Sequence, residues 1–176
     1  MAGSVCVRAW GDSVIEGDGM KLRTQLDALL DEYRQRLHDS LDGLTEEEAR
    51  ARLVPSKTTL LGLLKHVTYV EGVWFDEAVT GRSYKEIGIA STPTRSFTLT
   101  RTDTIASVRA DHRARCEVSR ANTAGLDLDD VVRGRGGRYV WQLYLQMLRE
   151  LAHHMGHADI LREQLLAARK GKSQSV

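Results

Sequence analysis

This sequence predicts an all-α protein, a four-helix bundle with a long connection between helices two and three. Three observations carry the prediction. Leucines and other apolar residues recur at three- and four-residue steps in several long stretches, the period of a helix with one buried face. Only two prolines, Pro55 and Pro93, interrupt the chain. Its 176 residues suffice for one well-cored domain and are too few to favour two.

Residues 1–18 hold Trp10 and several valines among glycines and acidic residues without a helical period, and read as an N-terminal arm. From Met20 onward, Leu22, Leu26, Leu29, Leu30, Tyr33, Leu37 and Leu41 describe helix one, about 19–41, with Gly43 as its stop. Thr45 and Glu48 have the spacing of a capping box and open a short helix that Pro55 keeps from continuing. Helix two begins near Ser56 or Thr58 and runs to Thr80, where Gly81 ends it. Its apolar residues, Leu60, Leu61, Leu63, Leu64, Val67, Val70, Val73, Trp74 and Phe75, require contacts on more than one side.

Residues 82–101 lack a clear period, and a connection of that length suggests a covering or functional role. Helix three, from Thr102 or Asp103 to Asn122, has a sparse apolar face and is expected on the outside. A second connection, 124–138, is rich in glycine but has neither the Lys-Ser/Thr ending nor the preceding strand of a phosphate loop. Helix four spans about 139–168, and residues 169–176 form a polar tail. The bundle thus occupies 19–168.

Composition excludes several classes. Net charge is +1, and Arg and Lys alternate with Asp and Glu, so no basic face for nucleic acid is indicated. No apolar run approaches the roughly 20 residues that cross a bilayer, and the N-terminus lacks the basic and apolar blocks of a secretory signal. Cys6 and Cys116 are far apart with no CxxC partner. A soluble, cytoplasmic protein is expected.

Chemistry concentrates on helix four, in R-E-L-A-H-H-M-G-H-A-D-I-L-R-E from Arg149 to Glu163. Glu150, His154 and His157 are spaced four and three apart and share one helical face. Carboxylate and neutral imidazole are ligands that a borderline divalent ion such as zinc accepts. Metal sites in bundles draw on facing helices, so His66, alone among the apolar residues of helix two, is the natural third ligand. Taken singly, His66 reads as a hydrogen-bonded core residue, and Glu150 as a surface carboxylate paired with Arg149 or Arg162. His153 is a neighbour rather than a ligand. His157 has three possible roles: fourth ligand, outer hydrogen-bond donor or proton shuttle. His38 and His112, lacking partners at helical spacing, are expected at the surface, and Cys116 as a free structural thiol.

Two blocks resemble the DinB superfamily of metal-binding four-helix proteins, in particular the branch called domain of unknown function 664. They are L-G-L-L-K-H-V-T-Y-V-E-G-V-W-F at Leu61 to Phe75 and E-L-A-H-H-M-G-H-A-D-I-L-R-E at Glu150 to Glu163. The resemblance implies metal ligands at His66, Glu150 and His154. Many superfamily members have His in place of Glu150; thiol-dependent relatives, including mycothiol-dependent maleylpyruvate isomerase, use the His, Glu, His set that fits this chain. Where the superfamily often has Gln after the second ligand, this chain has His157.

Two functional readings follow. In the first, zinc or nickel activates a low-molecular-weight thiol or a water for transfer to, or hydrolysis of, a small-molecule substrate, with His157 as a catalytic group. In the second, the bundle is a small-ligand-binding or stress-response module whose metal is structural or vestigial. The apolar surplus of helix two further suggests a homodimer.

Overall fold

Helix α1 (Leu22–Asp39) turns Leu30, Arg34, Leu37 and His38 inward, which is the leucine period carrying two polar passengers. The computed structural model describes residues 22–173, so the expected N-terminal arm lies outside it. After α1 the chain reverses at Gly43, which adopts a left-handed φ of 69°. Two arginines from other helices satisfy carbonyls at this helix end: Arg109 donates to His38 O, and Arg162 to Ser40 O and Asp42 O.

Helix α2 (Glu46–Ala49) opens on the predicted capping box, with Thr45 and Glu48 each accepting from the other's backbone N–H. Helix α3 (Leu60–Gly72), capped by the Thr59 hydroxyl, is buried on nearly every side. It continues through a π-helical segment, Val73–Glu77, into α4 (Ala78–Thr80), and Gly81 ends the run at φ 76°. The wider turn leaves the adjacent Phe75 and Asp76 both buried. Arg82 and Arg115 hold the Asp76 carboxylate at 2.6 and 2.9 Å, which offsets the cost of burying it.

The connection that follows is not structureless. It contains α5 (Tyr84–Ile87), opened by a Ser83/Glu86 capping box, and α6 (Pro93–Ser96), opened by Thr92 with Pro93 in its first turn. Both lie over α3, and α3 makes room for them with glycine. A Cβ on Gly72 would stand 2.8 Å from Ile89 Cγ2, and one on Gly62 would stand 3.1 Å from Phe97 O.

Helix α7 (Ile105–Thr123) corrects an expectation. It packs along α3 instead of lying outside, and its inward face carries Val108, His112, Cys116, Ser119 and Thr123. His112 is fully buried and His38 is 4% exposed, so neither histidine is at the surface. They hydrogen-bond to each other, His38 Nε2 to His112 Nδ1 at 2.9 Å, while His38 Nδ1 is buried without a partner among the described residues. A two-residue ladder, β1 (Val131–Val132) with β2 (Arg138–Tyr139), closes the second connection. Helix α8 (Val140–Ser173) runs past the predicted end at 168.

The core lies where α3 meets α7 on one side and α8 on the other, with α1 against α8. The apolar surplus of helix two is therefore covered within the chain. No helix among the described residues is long and apolar enough to cross a membrane.

Candidate metal centre

His66 projects from α3 toward α8. Its ring is 6% exposed and lies flat against Phe97, centroids 3.9 Å apart and planes 12° from parallel. Behind it, Nδ1 lies 2.6 Å from the Ser96 hydroxyl, which itself donates to Pro93 O at 2.6 Å. From the facing helix, the His154 ring meets His66 edge to face at 4.6 Å between centroids. Glu150, one turn earlier on α8, places Oε2 3.6 Å from His154 Nε2. Gln146 Nε2 holds the other carboxylate oxygen at 2.6 Å.

His66 and His154 thus meet across the α3/α8 seam, with Glu150 beside His154. Neither arginine expected to neutralise Glu150 does so closely: Arg149 stays 3.9 Å away on the exposed side, and Arg162 is spent on the Ser40 and Asp42 carbonyls just past α1. His153 and His157 are exposed, stacked edge to face at 4.5 Å, with the His157 centroid 5.9 Å from that of His154. They border the seam without entering it.

Electrostatics suits cation binding. Burial, reinforced by the neighbouring His154, pushes His66 down to about 3; burial, with His153 and His157 nearby, pushes His154 down to about 4. Both rings are neutral near pH 7 and keep a lone pair. The buried Nδ1 of His154 has no hydrogen-bond partner among the described residues. Two neutral imidazoles with a carboxylate beside one of them are ligand types that a divalent ion accepts.

A second group competes on distance alone. Glu71, His112 and Cys116 bring their donor atoms within 4.8 Å of one another, tighter than the His66, Glu150, His154 set. The chemistry of this interior group disfavours a cation. Both Glu71 oxygens already accept from Arg34, at 2.8 and 3.0 Å, and one also accepts from Ser119 at 2.7 Å. Burial would raise the Glu71 carboxyl, but the Arg34 guanidinium outweighs it and keeps it ionised. Burial pushes the Cys116 thiol up, so it stays protonated and a poor ligand. A metal here would sit beside a fixed guanidinium and have to displace it.

Sequence reasoning missed Ser96, Phe97 and Gln146. Gln146 stands four residues before Glu150 and could have been found by helical spacing. Ser96 and Phe97 belong to the connection suspected of a covering role, and only the fold brings them to His66. Beside them, between α3 and α7, lies a cleft of about 800 Å³ lined in part by Lys65, Thr68, Tyr69, Arg95 and Asp111, with Ser96 in its wall.

Comparison with curated proteins returned no match. The family model described as Mycothiol-S-transferase matches residues 25–167, a span that includes every residue of the α3/α8 seam. Taken with the predominantly helical architecture, this match means that the chain belongs to the mycothiol-S-transferase family, within the DinB-like superfamily.

Proposed function

We propose that His66, Glu150 and His154 hold a divalent metal and that the protein is a transferase joining a low-molecular-weight thiol, mycothiol, to a small electrophile. The observation that carries this reading is the pair of buried, neutral imidazoles from facing helices with a carboxylate 3.6 Å from one of them. The family match supports the thiol. Zinc and nickel are the ions that two imidazoles and one carboxylate suit best.

A cation bound there supplies Lewis-acid chemistry, lowering the pKa of a thiol so that the thiolate is available at neutral pH. The chain's own groups do the rest. His66 and His154 present lone pairs, and Glu150 contributes the negative charge that retains a dication. Phe97 covers one face of His66 and keeps water from it. His157, exposed next to His154, accepts the thiol proton and passes it to solvent. The sulfur then forms a bond to the electrophilic carbon as that carbon's leaving group departs with the bonding pair, or as its π bond breaks and the pair moves to the far atom, which takes a proton from solvent. Such chemistry suits a reducing cytoplasm. A homodimer would need a face other than α3, and the exposed Trp141 and Leu145 on α8 offer one.

Metal analysis after metal-replete purification tests the reading. One ion per chain is expected, lost in His66→Ala and His154→Ala, together with turnover of mycothiol and an electrophile. Absence of stoichiometric metal overturns it. Metal without turnover favours the binding-module reading.

A further inference from the structure

The geometry points to Ser96 as the positioning residue that selects the tautomer of His66, so that Nε2 carries the lone pair toward the α3/α8 seam. The inference rests on the proposed metal role of His66, but its physical basis is separate. A serine hydroxyl has one hydrogen to donate. In Ser96 that hydrogen goes to Pro93 O at 2.6 Å, the acceptor three residues earlier in the same short helix. Toward His66 the oxygen can then only accept, so at 2.6 Å the ring must supply Nδ1–H. A neutral imidazole carries one N–H. Assigning it to Nδ1 leaves Nε2 unprotonated.

Several features make this arrangement firm. Ser96 is 2% exposed, so water does not compete for its oxygen. Its helix is set by the Thr92 cap and by Pro93, and the Ser96 N–H donates back to Thr92 O. Phe97, the next residue, stacks on the same imidazole and fixes its plane. One short segment therefore sets both the rotation and the proton of His66. Outer partners that orient a ligating histidine in this way typically change metal affinity by roughly 10- to 100-fold.

The test uses the full-length protein, with and without zinc. NMR of the ring nitrogens in the metal-free protein, near neutral pH, is expected to show His66 as the Nδ1–H tautomer. Ser96→Ala should convert it to a mixture or to Nε2–H and lower zinc affinity by roughly 10- to 100-fold. Ser96→Thr, which keeps the hydroxyl, should retain both properties. An Nε2–H tautomer in the wild type overturns the inference, as does Ser96→Ala with zinc affinity within about twofold of the wild type. A variant that lowers only the melting temperature and leaves the ring nitrogens unchanged also overturns it. Should the wild type hold no zinc, the metal reading fails, while the tautomer spectrum still decides the role of Ser96. That spectrum also decides it if Ser96→Ala does not fold.

Discussion

The rings of His66 and His154 meet edge to face, centroids 4.6 Å apart, although one sits on α3 and the other on the last helix. Two helices must keep their register for this pair to exist, and each helix is anchored elsewhere: α3 by its buried apolar surface, α8 by Arg162 on the Ser40 and Asp42 carbonyls just past α1. The pair therefore occupies a preformed place in the bundle.

Removing either ring should abolish metal retention without unfolding the protein. For His66→Ala and His154→Ala, zinc affinity should fall by more than the roughly 100-fold that loss of an outer partner costs at most. The metal-free stability of each should change by no more than about 1–3 kcal/mol. Chelator competition and urea unfolding of the same samples measure the two quantities.

The interior pair Arg34 and Glu71 should behave oppositely. Arg34→Met leaves Glu71 buried and unpaired, and should cost about 3–5 kcal/mol. Adding Glu71→Leu should recover much of that loss, because an apolar pair of similar volume carries no desolvation cost. A double-mutant cycle by urea denaturation checks this, and metal content should be unchanged by the double substitution.

Acid should destabilise the protein through its buried histidines. Burial, with Arg113 and Arg109 close by, pushes His38 down to about 4; burial also pushes His112 down to about 4, although Glu71 opposes it. Their unfolded value is 6.5, so below that pH the unfolded chain binds protons that the native one refuses. The contribution is complete above about 6.5 and is lost as pH falls toward 4, on the order of 3 kcal/mol per histidine at most. Urea midpoints of the metal-free protein should fall steeply across this window, and His112→Gln should flatten the slope.

Two glycines should respond in opposite directions to alanine. A Cβ on Gly134 would stand 2.5 Å from the carbonyl oxygens of Glu77 and Ala78, backbone atoms that cannot turn away. Gly134→Ala should destabilise by about 1–3 kcal/mol. Gly156, inside α8, has nothing within 4 Å of such a Cβ, so Gly156→Ala should stabilise by about 0.5–1 kcal/mol. Thermal melts of both variants distinguish the signs.

Much of the scaffold was legible because its signals are local. The leucine period of α1, the Thr45/Glu48 box and the stop at Gly81 all depend on residues a few positions apart. The pairing of Glu150 with His154 was legible for a related reason, since the two share a turn, while the role of His66 as their partner ligand remains a proposal. Helix α7 was misjudged because most of its buried positions are polar, and their partners come from elsewhere: Glu71 for Ser119, His38 for His112. Helices α5 and α6 span four residues each, too few for any period to register, although Ser83/Glu86 and Thr92-Pro93 carried capping signals. Ser96 was hidden because its partner lies 30 residues away.

The segment carrying Ser96 and Phe97 gives the bundle an unevenly distributed kinetic resistance. It grips His66 from outside the four long helices, so a local opening of residues 92–97 would release that ring while the core stayed intact. An ion that binds only the closed arrangement stabilises closure by mass action. Amide exchange in this stretch should therefore slow sharply when zinc is added, while exchange in the middle of α1 is unaltered. The proposed ion would then leave at a rate set by how often this strap lifts, with little part for global unfolding.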